Sequence, residues 1–268
     1  SPPAQWKTPP EKPKNDASTY GGFASLMNMN MPEVDYETPS RCNGGSLKAE
    51  FYPSWAKYLV KYVKAYLDEG IPVTMMSIQN ESIAATNWDS CVWTAKEQKI
   101  FLRDFLYPEF EKNGLVDKVG IYIWDHNKER VLEYANDIID DITDKMIEGL
   151  AFHWYSGDHF EGVEMAGKKF PNKVLMSSEC CGLHPPGQSG FMEQLMGGLA
   201  PATVEYKDAI NYAHDLIGNL NAGMNRWIDW NLCVDKDGGP RHVSYGFTAP
   251  MIANDDGTYR KNLTFYFI

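Results

Sequence analysis

The chain alternates between short apolar runs and longer amphipathic segments, and this alternation restricts its possible folds more than any other feature. The apolar runs cover residues 71–78, 119–124, 149–153, 173–178 and 225–230. Helix-like periodicity occupies residues 52–70, 94–114, 129–141, 159–169 and 204–220. Continuous apolar runs predict strands buried on both faces, hence a parallel sheet covered by helices. The fold class is therefore α/β, as either a (β/α)8 barrel or an open doubly wound sheet.

The turns that follow the apolar runs help to choose between these two architectures. A nucleotide-binding sheet carries a glycine-rich phosphate loop after a strand, and no such loop follows any of the five runs. This favours the barrel.

One predicted helix has clear signals at both ends. Thr94 and Glu97 form a capping-box pattern at its start, Asn113-Gly114 marks its end, and Pro108 is expected to kink it.

Charge and composition exclude several classes of partner. The net charge of −11 argues against nucleic acid and anionic membrane surfaces. No apolar stretch approaches the roughly 20 residues that span a bilayer, so no transmembrane segment is expected. The five cysteines include no CxxC pair, which favours free thiols over a structural zinc site. No signal peptide or initiator methionine is present, and the compartment stays open between secreted and cytoplasmic.

Polar or aromatic residues follow the apolar runs at the carboxyl end of every predicted strand. In a barrel these ends meet at one mouth, which is where active sites form. The residues are Gln79-Asn80-Glu81, Asp125-His126-Asn127, His153-Trp154-Tyr155, Glu179 and Trp230-Asn231.

Two of these residues, Glu81 and Glu179, are carboxylates on strands separated by two others. A pair of carboxylates across a barrel mouth can cleave a glycosidic bond by double displacement, one as general acid and one as nucleophile. The site must then separate their pKa values, with the nucleophile as the lower member.

Asp125, His126 and His153 could also be read as metal ligands, but they lack ligand spacing on one helix, and we expect no metal.

Five segments occur in an order that resembles one known family. They read "SIQNES", "IWDHNK", "GLAFHWYSGDHF", "LMSSEC" and "WIDWNLCVDKDGGP". Together they are similar to glycoside hydrolase family 30, the glucosylceramidase-like retaining enzymes, over essentially the whole chain. The resemblance implies a partial TIM barrel comprising about strands 4–8 with the loop and helix that precede strand 4. It also implies that residues 1–268 form part of one catalytic domain, without the family's N-terminal strands and C-terminal β-sandwich.

The resemblance implies a role for each residue that matches a family motif. Glu81 corresponds to the general acid/base and Glu179 to the nucleophile. Asn80 corresponds to the residue that binds the sugar's 2-hydroxyl. His153 and Tyr155 are expected to position and tune Glu179.

Two further residues are implied to line the glycone pocket, Trp230 as a wall and Asp125 beside it. The chain departs from the family at Ser82, where the usual residue is proline, and this change is expected to loosen the turn. The family needs no metal or cofactor.

The function expected from these features is that of a retaining β-glycosidase acting on β-glucosides, with a carbohydrate or glycolipid substrate. Within the family, an endo-acting β-1,6-glucanase or xylanase is the alternative. Two alternatives lie outside the function of this family, namely a non-catalytic carbohydrate-binding barrel and a metal-dependent barrel hydrolase. The oligomeric state is open.

Overall fold

Five parallel strands in chain order form the central sheet of the computed structural model. The structure describes residues 1–9, 43–86, 89–182, 201–239 and 249–268, without the side chains of residues 201–205. The strands are β1 (Met75–Ser77), β2 (Gly120–Asn127), β3 (Gly149–His153), β4 (Val174–Glu179) and β5 (Arg226–Trp227). Each pairs in parallel with the next. This half-barrel confirms the predicted partial TIM barrel.

The strand limits differ from the sequence prediction in two ways. β1 and β5 are shorter than the apolar runs, because the two outermost strands pair on only one side in this sheet. β2 is longer, because its ladder with β3 continues to the pair Asn127–His153. Asp125 was predicted to follow the strand, and the structure places it inside β2.

Helices cover the outer face of the sheet. They are α1 (Tyr52–Asp68), α2 (Ala95–Phe101), α3 (Tyr107–Lys112), α4 (Val131–Ile138), α5 (Phe160–Lys169), α6 (Pro201–Asn221) and α7 (Thr264–Phe267). Single 3-10 turns occur at Ala4–Trp6, Ala49–Phe51, Lys128–Arg130 and Asp144–Met146.

The helix predicted over residues 94–114 is present but internally irregular. Its capping box is confirmed, since Thr94 and Glu97 exchange side-chain and backbone hydrogen bonds. A π-helical segment, Leu102–Leu106, separates α2 from α3. Pro108 lies in the first turn of α3, where its missing N–H is tolerated, so the irregularity falls just before the proline. α3 ends at Asn113-Gly114 as predicted.

Helical periodicity over residues 52–70 predicts one apolar face made of Trp55, Leu59, Tyr62, Val63 and Tyr66, and this prediction is only partly correct for α1. Trp55 and Val63 are buried as expected, but Tyr62 and Tyr66 are exposed. The buried stripe instead continues through Ala56 and Val60. The tyrosines pack on one another at the surface, with ring centroids 4.8 Å apart. Tyrosine satisfies an apolar periodicity count, yet its hydroxyl lets it face water.

The core around the central sheet has two parts, one on each side of it. Between sheet and helices lie the residues of the main cluster, such as Ile121, Ile123 and Leu150. Side chains alternate along a strand, so the residues between them face the barrel interior. Tyr122, Ala151 and Met176 form a separate cluster there.

A second, three-stranded sheet was not predicted. It contains β6 (Cys233–Asp235), β7 (Met251–Ala253) and β8 (Tyr259–Lys261). β6 and β7 are parallel, and β7 and β8 are antiparallel. Each strand has three residues, too few to show an alternating pattern.

Two predictions drawn from composition concern cysteines and membranes. Cys91, Cys180, Cys181 and Cys233 are free thiols, and Cys42 lies outside the described residues. Within the described ranges, no helix has both the length and the apolarity needed to cross a bilayer.

Candidate active site

The turn after β1 holds Glu81 against the neighbouring strand. Glu81 has a left-handed backbone, with φ +51°, and is only 4% exposed. Its N–H donates to the carbonyl of Asp125 at 2.7 Å. The Ser82 hydroxyl donates to the carbonyl of Trp124 at 2.9 Å. The Ser82 hydroxyl therefore ties the turn to β2, a contact that opposes the expected loosening.

Two β-bulges at the same level of the sheet bring Asp125 and Ser178 together. The β2–β3 register shifts between Trp124 and His126, where Asp125 is the extra residue. The β3–β4 register shifts beside His153, where Ser178 is the extra residue. The Ser178 hydroxyl donates to Asp125 Oδ1 at 2.6 Å. Bulges are common beside active sites because they redirect side chains in this way.

Strained backbone is concentrated at the same level. Four described residues other than glycine have positive φ, and three of them are Glu81, Trp124 and Asp125. Such conformations are costly and persist where the surrounding contacts enforce them. Here the enforcing contacts are the hydrogen bonds from the Glu81 turn to β2.

His153 lies at the centre of the site, between three carboxylates. Its Nε2 is 3.1 Å from Asp125 Oδ1. Its Nδ1 is 3.6 Å from Glu81 Oε1, and its Nε2 is 3.9 Å from Glu179 Oε2. The side chain is fully buried. One imidazole therefore brings together the two carboxylates that the sequence selected.

Electrostatics fix the charges of His153 and Asp125. Burial alone would lower the pKa of His153, but its hydrogen bonds to Asp125 and Glu81 and the nearby negative charges raise it to about 10. Burial likewise opposes ionisation of Asp125, but hydrogen bonds from His153, Ser178 and Ser77 lower its pKa. At neutral pH the pair is an imidazolium and a carboxylate, whose charges compensate each other in the buried site.

Tyr155 and Glu179 make the contact expected from the sequence. The Tyr155 hydroxyl donates to Glu179 Oε1 at 3.0 Å and lies 3.3 Å from Cys181 Sγ. Burial, the largest cause, and the charge of Glu81 together raise the pKa of Glu179 to about 7, although His153 and the Tyr155 hydrogen bond lower it. Since His153 and Asp125 compensate each other, two neighbouring carboxyls remain, and their repulsion favours one shared proton.

The two predicted binding residues Asn80 and Trp230 lie at the edge of this network. Asn80 is exposed, directly before the buried Glu81. Trp230 is 38% exposed, and its N–H donates to the carbonyl of Cys180 at 3.0 Å. This N–H is that of the backbone, so the bond holds the main chain of Trp230 beside Cys180, the residue that follows Glu179.

Several residues of the site were not assigned by the sequence analysis. The Ser77 hydroxyl donates to Asp125 Oδ2, and Ser178 donates to the other oxygen. A serine inside an apolar strand is the signal that could have revealed both.

His126 also belongs to the site, although the sequence analysis gave it no role other than that of a metal ligand. It is buried with its Nδ1 3.9 Å from Glu81 Oε1, and burial lowers its pKa to about 4.

The profile of the glycosyl hydrolase family 30 TIM-barrel domain matches residues 37–268. This match spans most of the chain and agrees with the half-barrel and the paired carboxylates described above. The chain therefore belongs to glycosyl hydrolase family 30, as its motifs indicated.

The individual relatives are distant from this chain in sequence. The lysosomal acid glucosylceramidase of Mus musculus is 27% identical over 245 residues, which is 86% of this chain and 45% of that protein. The endo-1,6-beta-D-glucanase neg1 of Aspergillus fumigatus is 22% identical, over 84% of this chain and 42% of that protein. The crystal structure of SrfJ from Salmonella typhimurium superposes with a TM-score of 0.75 at 35% identity, covering 84% of this chain and 48% of SrfJ. The chain thus spans less than half the length of the curated relatives it matches.

Proposed function

We propose that the protein is a retaining β-glycosidase that hydrolyses β-glucosides, with Glu81 as general acid/base and Glu179 as nucleophile. The observation that carries this proposal is the placement of both carboxylates within 4 Å of His153, at 3.6 and 3.9 Å. Family membership and similarity to a glucosylceramidase support the substrate class. The substrate is then a carbohydrate or a glycolipid.

The reaction has two displacements at the anomeric carbon. In the first, a Glu179 oxygen forms a bond to this carbon while the glycosidic bond breaks, and Glu81 gives its proton to the departing oxygen. In the second, Glu81 takes a proton from water, the water oxygen attacks the anomeric carbon, and the bond to Glu179 breaks. The sugar leaves with the configuration it had in the substrate, and both carboxyls return to their starting state.

The surrounding residues have supporting roles in this scheme. The Tyr155 hydroxyl hydrogen-bonds the attacking carboxylate at 3.0 Å and stabilises its charged form. Asp125 is fully engaged by His153, Ser178 and Ser77, so we propose that it orients His153 from behind. Asn80 and Trp230 contact the sugar at the mouth.

The test is turnover of an aryl β-glucoside by the complete protein and its Glu179→Gln variant. Without the nucleophile no glycosyl-enzyme can form, so kcat is expected to fall roughly 10³-fold or more. Glu161→Gln, on the exposed surface of α5, is the matched control and should keep its activity. Azide should partly restore Glu81→Ala, because a small anion replaces the base step. Near-normal turnover by Glu179→Gln would contradict the double displacement.

Endo-acting β-1,6-glucan hydrolysis is the second candidate, supported by the similarity to the Aspergillus endo-glucanase. Product analysis separates the two. An exo-acting glucosidase releases glucose from the start of the reaction, whereas an endo-acting enzyme first releases oligosaccharides from β-1,6-glucan.

A further inference from the structure

Three buried side chains in the site have the composition of a zinc-binding cluster. Glu81, His126 and His153 each offer one ligand atom, and these atoms all lie within 4.8 Å of one another. Glu81 Oε1 is 3.6 Å from His153 Nδ1 and 3.9 Å from His126 Nδ1. Two imidazole nitrogens and one carboxylate oxygen, with a fourth position open, form a common zinc ligand set.

An independent contact orients one of these ligands. The Nε2 of His153 is 3.1 Å from Asp125 Oδ1, and Asp125 is itself held by the Ser178 hydroxyl. Zinc-bound histidines usually donate their second ring N–H to a carboxylate, which fixes the ring and makes the ligating nitrogen more basic. Asp125 therefore directs His153 Nδ1 toward Glu81, as an outer-shell partner of a metal would. A cation bound there would displace the Nδ1 proton that makes the ring an imidazolium at neutral pH, so binding releases a proton.

The distances are close to those that a metal requires. Tetrahedral zinc places its ligand atoms about 3.3 Å apart, given metal–ligand bonds of about 2.0–2.2 Å. The separations of 3.6 and 3.9 Å exceed this by a few tenths of an ångström, and the two histidine nitrogens lie within 4.8 Å of each other, so the rings must move closer together to bind zinc. Two imidazoles favour zinc or copper over magnesium, which prefers a near-octahedral set of oxygens.

We propose that Glu81, His126 and His153 form an inhibitory site for Zn²⁺ or a similar transition-metal cation. A cation there would hold the Glu81 carboxylate, so that Glu81 could neither give nor accept the proton of glycoside cleavage. The inhibition rests on the proposed function, whereas the metal binding does not.

Binding is tested on the complete protein by calorimetric titration with ZnCl₂ and by the visible spectrum of added Co²⁺. We expect one site per chain and the absorption bands of tetrahedral, nitrogen-coordinated cobalt. His126→Gln should weaken zinc binding roughly tenfold or more, because it removes a ligand. His214→Gln is the matched control, since His214 is exposed and pairs with Asp158 at 3.0 Å.

The outcomes of this experiment are distinct. Unchanged zinc affinity in a folded His126→Gln variant would overturn the site. So would loss of binding in His214→Gln, which would identify a surface site. Should His126→Gln fail to fold, absence of the tetrahedral cobalt bands from the unsubstituted protein would overturn the proposal by itself.

Activity separates this inference from the proposed function. Zn²⁺ should lower the kcat of aryl glucoside hydrolysis, a chelator should restore the rate, and Mg²⁺ should have no effect. Zinc binding that depends on His126 without any glycosidase activity would keep the site and remove the proposed function. Activity lost with chelator and regained with Zn²⁺ would overturn the inhibitory role and favour a metal-dependent hydrolase.

Discussion

At the residue scale, His153 determines how the carboxyls of the site share their protons. As an imidazolium it lies 3.1 Å from Asp125, 3.6 Å from Glu81 and 3.9 Å from Glu179. The sequence selected all four residues because they follow strands that end at one mouth. It could not show that His153 is shared among them, because this depends on two bulges that leave no pattern in the sequence.

At this scale, the hydrogen bond from Tyr155 to Glu179 leads to a prediction about the pH dependence of kcat/KM. Burial raises the pKa of Glu179 to about 7, and the Tyr155 hydrogen bond lowers it. The proposed role of Glu179 as nucleophile requires its ionised form, so a higher pKa moves the acid limb of kcat/KM to higher pH. Tyr155→Phe removes the donor, and we expect the limb to rise by about one pH unit.

The measurement is kcat/KM against pH for an aryl β-glucoside. Tyr66→Phe, on the exposed face of α1, is the control and should leave the profile in place. An acid limb that stays fixed in Tyr155→Phe would show that the limb reports another group.

At the element scale, the sequence predicts features that depend on neighbouring residues, but it does not predict features that depend on tertiary contacts. The capping box at Thr94 and the stop at Gly114 depend on neighbouring residues, so the sequence predicts them. The exposure of Tyr62 and Tyr66 depends on what packs against α1, which periodicity does not specify. The bulges in β2 and β4 depend on pairing between strands, and β6–β8 are too short to leave a pattern.

The turn between β1 and α2 gives a prediction at the element scale. Ser82 is fully buried, and its hydroxyl donates to the carbonyl of Trp124 at 2.9 Å. Ser82→Ala leaves this carbonyl without its donor, which should lower the free energy of unfolding by about 1–2 kcal/mol. The turn also positions Glu81, so kcat should fall while KM changes little.

Urea unfolding and steady-state kinetics check this prediction together. Ser54→Ala, on the exposed surface of α1, removes a hydroxyl without touching the turn and is the matched control. Unaltered stability and kcat in Ser82→Ala would show that the turn is held by its backbone contacts alone.

At the scale of the whole molecule, the buried acids and His153 together determine how stability depends on pH. Burial raises the pKa of Glu179 to about 7 and that of Asp229 to about 6, and the carboxylates around His153 raise its pKa to about 10. All three groups bind their proton more tightly in the folded chain than their ordinary values of 4.5, 3.8 and 6.5 allow. Stability therefore falls as pH rises through this range. Asp125 and Asp140, with lowered pKa values, act in the opposite direction only in acid. His126, whose pKa burial lowers to about 4, opposes the fall between about pH 4 and 6.5, but the three raised groups outweigh it.

The last prediction isolates the contribution of Glu179 to this dependence. Between pH 4.5 and about 7 the folded chain still holds a proton that the unfolded chain has lost, so stability falls by about 3 kcal/mol over this interval for a shift of this size. Glu179→Gln keeps the shape of the side chain but cannot ionise, so its loss of stability over this interval should be smaller by about that amount. The measurement is the urea unfolding free energy of both proteins at pH 5 and pH 8, with Glu161→Gln as an exposed control. If Glu179→Gln loses as much stability as the unsubstituted protein between these two pH values, the buried proton is held by another group, and the assignment of the shared proton to the Glu81–Glu179 pair is wrong.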